Sequence, residues 1–438
     1  MAGFGHTCGM VLLLPALLVA CKPHPVDTQT HDTDTQAGDS GDSAGHVAAW
    51  DYLVYMDGDN SLESYVTHDL NELETVGSTS DLNVLVLADR IDGQATDDGD
   101  WTGAHEYRMV HDDDDQTVSS PVLVDLGEVN MADPQTLANF LDWAATNYPS
   151  EHTALILWDH GGGWDLVSDP VVTDPGESVD SGGAVPPPDI AEDDTSNGAT
   201  MSIANGELAS GLTPFVDAHG RLDLIGFDAC NMASWEVGYA LAPFSKTMVA
   251  AETTVGGEGL RYTPILQAIV DNPTIAAADL ADTSSRTEVE GGEWSSSASD
   301  LDQYAGLASA IDALSVALMA APDGGQFAWD DRDTMMGADS EWYYYFMDLG
   351  SLASVVGAAD PDVLTAANGV VAAQHAALIG NYASGQYVDL SGLSIFFDPR
   401  YPKYDIAYAS GAGATWAQAT HWDEYLMTID TAATTTMY

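Results

Sequence analysis

Five short runs dominated by apolar residues constrain this chain most: Trp50–Met56, Leu82–Ala88, Ala154–Trp158, Asp223–Phe227 led by Leu222, and Thr247–Ala251. A strand with one wet face alternates apolar and polar residues, so runs this continuous need cover on both faces. Between them lie apolar residues at helical spacing. Leu62, Tyr65, Val66, Leu70 and Leu73 mark one helix, and Leu137, Phe140, Leu141 and Ala144 mark another over 134–148. Strands alternating with amphipathic helices predict an α/β fold, an α/β/α sandwich around a mostly parallel sheet. With 438 residues, 45% of them hydrophobic, the chain can bury the core this requires.

The rest of the chain divides by composition. Val11 to Ala20 reads VLLLPALLVA, too short for a permanent span but suited to a signal peptide over 1–20. It ends Leu18-Val19-Ala20-Cys21, which resembles the lipobox of bacterial lipoproteins and implies lipid attachment at Cys21. Residues 21–48 carry almost no apolar content and are expected to be an acidic flexible tether. The core follows over 49–290, interrupted at 165–200 by an acidic stretch with Pro186-Pro187-Pro188 and no Lys or Arg, read as a surface insertion. Helical patterns at Leu301–Leu318 and Asp362–Leu378, with the apolar run Leu393–Phe397, suggest a helical or mixed C-terminal subdomain over 291–438 packed on the core, or more of the same sheet. No stretch beyond the leader reads as long and apolar enough to span a membrane.

Charge excludes one class of partner. Against 69 Asp and Glu stand only 10 Lys and Arg, a net charge of -59. Nucleic acid needs a basic footprint, and none exists. The acidity suits a saline or calcium-rich medium, and it draws cationic partners. Of the three cysteines, Cys8 lies in the leader and Cys21 at its end, so the folded part holds Cys230 alone and forms no internal disulfide. Such a cysteine is either a small apolar residue or, with a matching His, a nucleophile.

Two motifs supply that match. Trp158-Asp159-His160-Gly161-Gly162-Gly163-Trp164 follows one apolar run, and Phe227-Asp228-Ala229-Cys230-Asn231-Met232 follows another. In open parallel sheets, functional groups gather at the carboxyl ends of strands, so the two motifs can converge. A thiol is only a few per cent thiolate at neutral pH, and an adjacent imidazole raises that fraction. The glycines after the His let backbone N–H groups approach a tetrahedral intermediate.

These motifs closely resemble the clostripain family of cysteine peptidases, relatives of caspases, legumains and gingipains. Further segments carry the resemblance: Tyr55 to Glu63 with its D-N-x-L turn, Asp69 to Leu73, Ala250 to Thr253, Gly257 to Tyr262 and Ser391 to Phe397. It runs from about residue 50 to 428. It implies a Cys-His dyad of Cys230 and His160, oxyanion donors at the N–H groups of Gly161 and Cys230, and a pocket for a basic P1 side chain lined by Asp228 and Glu258. Asp228 also reads as a turn-capping carboxylate, and Asp159 as pointing away from His160. The expected activity is an endopeptidase cutting after Arg and more weakly after Lys. The alternatives are an inert surface lipoprotein serving as a binding or adhesion module, and a transpeptidase or amidase with the same dyad. Some family members mature by a cut after a basic residue between His and Cys; here only Arg221 lies between them, so that cut is not expected. No cofactor is expected to be required. Calcium stays open, since it is needed in parts of the family, although Asp57-Gly58-Asp59-Asn60-Ser61 lacks the sixth-position Gly of a calcium loop. The expected partners are peptides or proteins with basic residues, and a membrane reached through the N-terminal lipid. The chain is expected to act as a monomer, exported and anchored at the outer membrane or cell surface.

Overall fold

The apolar runs become strands, each buried on both sides. A computed structural model describes residues 47–93, 95–164, 190–257, 259–337, 346–397 and 407–436. The leader, the tether, Cys21 and Glu258 lie outside the described residues. The strands are β1 Ala48–Gly58, β2 Leu82–Arg90, β3 Ala104–Arg108, β4 Val122–Gly127, β5 Ser150–Trp158, β6 Ile190–Asp193, β7 Ala199–Met201, β8 Leu222–Asp228, β9 Ser245–Ala250, β10 Ser295–Asp300, β11 Phe346–Asp348, β12 Leu378–Ala383 and β13 Ser394–Phe396. Nine of them form one sheet in the order β12-β10-β9-β8-β5-β1-β2-β3-β4. The five central strands, β9 to β2 in that order, pair in parallel; antiparallel pairs extend both edges.

Alternate side chains of each central strand enter opposite cores. Leu53 and Tyr55 of β1, Leu155 and Leu157 of β5, and Ile225 and Phe227 of β8 meet helices Pro134–Asn147, Glu207–His219 and Tyr304–Ala320. Tyr52, Val54 and Met56, with Ile156 and Leu224, meet helices Glu63–Glu74, Tyr262–Asp271 and Ala277–Gly291. Helix Pro134–Asn147 starts where the sequence dictates: Pro134 occupies its first turn, and the Asp133 carboxylate accepts from the Gln135 N–H at 2.9 Å.

Three regions differ from the sequence reading. The run Leu393–Phe397 gives β13, which pairs with β11 in a separate two-stranded sheet. The main sheet instead gains β10 and β12. From residue 190 on, the stretch read as a surface insertion is a hairpin of β6 and β7 with Ile190, Ala191 and Asp193 buried. Finally, Leu301–Ala320 reaches the length and mean hydropathy (1.2) of a membrane span, yet Leu307, Ile311, Leu314 and Leu318 pack in the core.

Candidate active site

Neighbouring strands carry the two motifs. In the β5–β8 register Trp158 lies opposite Asp228, and the Asp159 N–H donates to the Asp228 carbonyl at 3.2 Å. His160 and Cys230 each follow two residues later, at the carboxyl ends of adjacent parallel strands. The seam between them is tight. A Cβ added at Gly161 would lie 2.5 Å from the Cys230 carbonyl oxygen, 2.9 Å from Ala229 Cβ and 3.0 Å from the Cys230 nitrogen. Only a residue without a side chain fits there. Gly163 has a different need: its φ is +80° and a Cβ would strike the Phe346 ring.

His160 is half-buried, and its Nε2 lies 2.9 Å from Ser61 Oγ. Burial lowers its pKa below the ordinary value, with Asp194 opposing. Ser61 belongs to the turn after β1, which is pinned from several sides. Asn60 Nδ2 donates to Asp159 Oδ1 at 2.7 Å and to the Glu192 carbonyl at 2.9 Å, while Asn60 Oδ1 accepts from the Leu62 N–H at 2.8 Å. Asp159 also accepts from the Glu192 N–H. It therefore faces this turn, and burial pushes its pKa well up. Cys230 is half-buried as well. Its Sγ accepts from the Val255 N–H at 3.3 Å and lies 3.7 Å from the Val255 carbonyl oxygen.

Asp228 sits behind this pair, almost wholly buried. Its Oδ1 accepts from the Leu260 N–H at 3.1 Å and its Oδ2 from the Tyr262 hydroxyl at 2.9 Å. Gly259, at φ +48°, passes so close that a Cβ would lie 2.2 Å from Asp228 Oδ1. Burial, and then the Asp69 carboxylate, push the Asp228 pKa up to about 8. Glu288 is fully buried nearby, and burial pushes its pKa well up, with Ser296 opposing and the Asp228 carboxylate adding to the rise. The sequence reading did not single out Ser61, Val255, Tyr262 or Glu288. Ser61 stood within the D-N-x-L turn and Tyr262 at the end of the segment Gly257 to Tyr262 quoted above, which were the available signals; Val255 and Glu288 touch the motifs only through folding.

The sequence profile of the Clostripain family matches residues 54–428. The chain belongs to the clostripain family. A clostripain from Hathewaya histolytica is 29% identical over 235 residues, which cover 50% of this chain and 41% of that protein's own length. Among solved structures, an inactive zymogen C11 protease from Parabacteroides distasonis matches with TM-score 0.60 and 20% identity, covering 88% of this chain and 99% of that one. A secreted C11 cysteine protease from Bacteroides thetaiotaomicron, in complex with an irreversible peptide inhibitor, matches with TM-score 0.59 and 20% identity over 86% and 99%. These two likenesses concern the fold. Within the clostripain fold of this chain, His160, Gly161 and Cys230 share one seam, Asp228 lies beneath it, and Glu258 and Cys21 lie outside the described residues.

Proposed function

We propose that this chain is a cysteine endopeptidase in which Cys230 is the nucleophile and His160 its general base. The observation that carries the reading is the contact of Gly161 with the backbone of Cys230, which joins the two motifs at the ends of adjacent parallel strands. Family membership supports it, as does a fold shared with a protease that holds a peptide inhibitor. Burial keeps the imidazole neutral near pH 7 and so able to accept a proton. When its Nε2–H donates to Ser61, Nδ1 carries the lone pair. Cys230 Sγ attacks the substrate carbonyl carbon as its proton passes to His160. The N–H groups of Gly161 and Cys230 receive the oxyanion. The tetrahedral intermediate then collapses: the C–N bond breaks, the amine leaves with the proton from His160, and water, deprotonated by the same imidazole, hydrolyses the thioester.

The substrate class in this reading is a peptide with Arg, and more weakly Lys, at P1. Asp228 has Asp69, Glu288 and Glu293 as acidic neighbours, and their mutual repulsion together with burial raises its pKa. A guanidinium would relieve that repulsion and can pair with a carboxylate through two parallel hydrogen bonds, which an ammonium cannot. Glu258 is the second carboxylate proposed there. Export and an N-terminal lipid at Cys21 complete the proposal, with the enzyme acting at the outer membrane or cell surface. The test is labelling with an arginyl acyloxymethyl ketone and mapping the adduct by mass spectrometry. Modification of Cys230 by the arginyl reagent and not by its aspartyl analogue is expected. An unmodified Cys230 would leave the inert binding module as the better reading.

A further inference from the structure

The sulfur of Cys230, read above as the nucleophile, is braced by residues outside both motifs. β9 and β10 pair as far as Ala250 and Ser297. Beyond Ala250 the chain turns its backbone to the Cys230 segment. The Ala251 carbonyl accepts from the Ala233 N–H at 2.9 Å, and the Thr253 carbonyl accepts from the Asn231 N–H at 3.0 Å. Two residues on, the Val255 N–H donates to Cys230 Sγ at 3.3 Å. An N–H aimed at the sulfur favours the thiolate, the reactive form.

A backbone segment outside a ladder needs other groups to hold it. The residues that open β10 supply two. Ser295 Oγ accepts from the Thr253 N–H at 3.2 Å and lies 2.9 Å from Thr253 Oγ1. Glu293 is buried, and its Oε2 accepts from the Gly256 N–H at 2.8 Å. It crosses Gly256 so closely that a Cβ there would lie 2.9 Å from Glu293 Oε1. This contact bears on the sulfur directly. The Gly256 N–H and the Val255 carbonyl belong to one planar trans peptide and point opposite ways. With the N–H on Glu293, the carbonyl oxygen lies 3.7 Å from Cys230 Sγ. The sulfur thus sits against the N–H and the carbonyl of one residue, whose orientation Glu293 fixes. Glu293 is itself anchored: its N–H donates to the Glu288 carbonyl at 3.3 Å, and its carbonyl accepts from Ser384 Oγ at 3.1 Å. A carboxylate is a costly choice here, because Asp228 and Glu288 are its acidic neighbours.

We infer that Glu293 is a positioning residue for the nucleophile: by holding the Val255–Gly256 peptide, it keeps the Val255 N–H on the Cys230 sulfur and so stabilises the thiolate. The inference rests on the reading of Cys230 as the nucleophile. The Val255 carbonyl works against the N–H, since it accepts from the protonated thiol. An S–H group is a weak donor, however, and the N–H contact is the shorter and gains strength when the sulfur is charged. The balance therefore favours the thiolate. The charge of Glu293 by itself would act the other way and raise the thiol pKa. Brace and charge thus have opposite signs, and substitution can separate them.

Glu293→Asp keeps the charge but falls one methylene short of Gly256, whereas Glu293→Gln keeps the reach and an acceptor oxygen but drops the charge. The rate of Cys230 alkylation by iodoacetamide would be followed across pH in the full chain, with the Cys230 peptide quantified by mass spectrometry. Its midpoint reports the thiol pKa and needs no peptidase activity, so failure of the brace and failure of the peptidase reading are told apart. Glu293→Asp should raise the midpoint by about one unit, leaving about tenfold less thiolate at neutral pH. On a P1-Arg peptide it should lower kcat about tenfold with KM nearly unchanged. Glu293→Gln should stay within about twofold of wild type in both readouts. Ser295→Ala, which loosens the same segment at Thr253, should shift the midpoint the same way by less. Circular dichroism and Tm establish which variants fold. An alkylation profile unchanged in folded Glu293→Asp would overturn the inference, as would an unchanged profile in Ser295→Ala if Glu293→Asp does not fold. A departure in Glu293→Gln as large as that in Glu293→Asp would also overturn it, because the effect would then belong to the charge.

Discussion

Gly161→Ala tests the seam on which the proposed dyad depends. The new Cβ would lie 2.5 Å from the Cys230 carbonyl oxygen, where ordinary contact begins at 3.4 Å, so the two chain segments must separate by about 0.9 Å. The obstructing oxygen and nitrogen are backbone atoms, so no side chain can swing away to relieve the overlap. Gly161 is not among the positive-φ glycines, and the cost is therefore steric rather than torsional. Overpacking of this kind costs about 1–3 kcal/mol of stability. Activity should suffer more, because a displacement near 1 Å in reacting groups costs on the order of a hundredfold in rate. The assay is kcat/KM on a fluorogenic P1-Arg peptide, measured well below Tm with the folded fraction verified by circular dichroism. A drop of about a hundredfold with a nearly intact fold is expected. A well-folded variant within about threefold of wild type would refute the argument that the Gly161–Cys230 contact sets the catalytic geometry.

Other substitutions separate the remaining roles. Cys230→Ala removes a sulfur that accepts one N–H bond and should abolish hydrolysis while moving Tm only slightly; retained peptidase activity would exclude it as nucleophile. Ser61→Ala removes the 2.9 Å contact to His160 and should lower kcat about fivefold, the worth of one neutral hydrogen bond, with Ser61→Thr restoring it and the pH profile shifting in the Ala variant alone. In the unliganded protein Asp228 holds its proton up to about pH 8, amid Asp69, Glu288, Glu293, Tyr52 and Tyr262. A guanidine competitor must displace that proton, so its affinity should fall about tenfold per unit as pH drops below 8 and level off above it. Asp228→Asn should bind the competitor weakly at every pH; a flat wild-type profile from pH 6 to about 9 would count against Asp228 as its partner. Cys21→Ser should lose the N-terminal lipid and leave the detergent phase, as read by mass spectrometry and phase partitioning, and an unlipidated wild type would dispose of the anchor.

What the sequence disclosed follows from what burial does to residue choice. The central strands were legible because cover on both faces demands continuous apolar runs, as in Leu82–Ala88 or Ala154–Trp158. β10 was not legible, since Ser295-Ser296-Ser297-Ala298-Ser299-Asp300 carries no such run. Ser295 and Ser297 are tolerated in the sheet because partners meet them: Ser295 Oγ accepts from the Thr253 N–H at 3.2 Å and Ser297 Oγ donates to the Gly392 carbonyl at 2.6 Å. β4 escaped for the opposite reason: Val122, Leu123 and Leu126 of this edge strand are exposed, so no buried face imposed a pattern. His160 and Cys230 were legible as motifs, yet their adjacency depends on β8 lying beside β5, an order fixed by tertiary packing.

The carboxylates of Asp59, Asp89, Glu128 and Asp193, which converge at one end of the sheet, mark the limit of sequence reading most sharply. In a chain with 69 acidic residues, finding Asp at positions 59, 89 and 193 and Glu at 128 carries almost no information. Their spacing follows no ligand motif, because the fold gathers them from separate elements. What sets them apart is energetic. Most carboxylates of such a chain lie in water, where neighbouring charges are screened and each oxygen finds donors. Asp59 Oδ1 and Asp89 Oδ2 have neither solvent nor a donor within the described residues. Burial without a partner favours holding a proton, and it pushes the Asp59 pKa up to about 7 and the Asp89 pKa up to about 9.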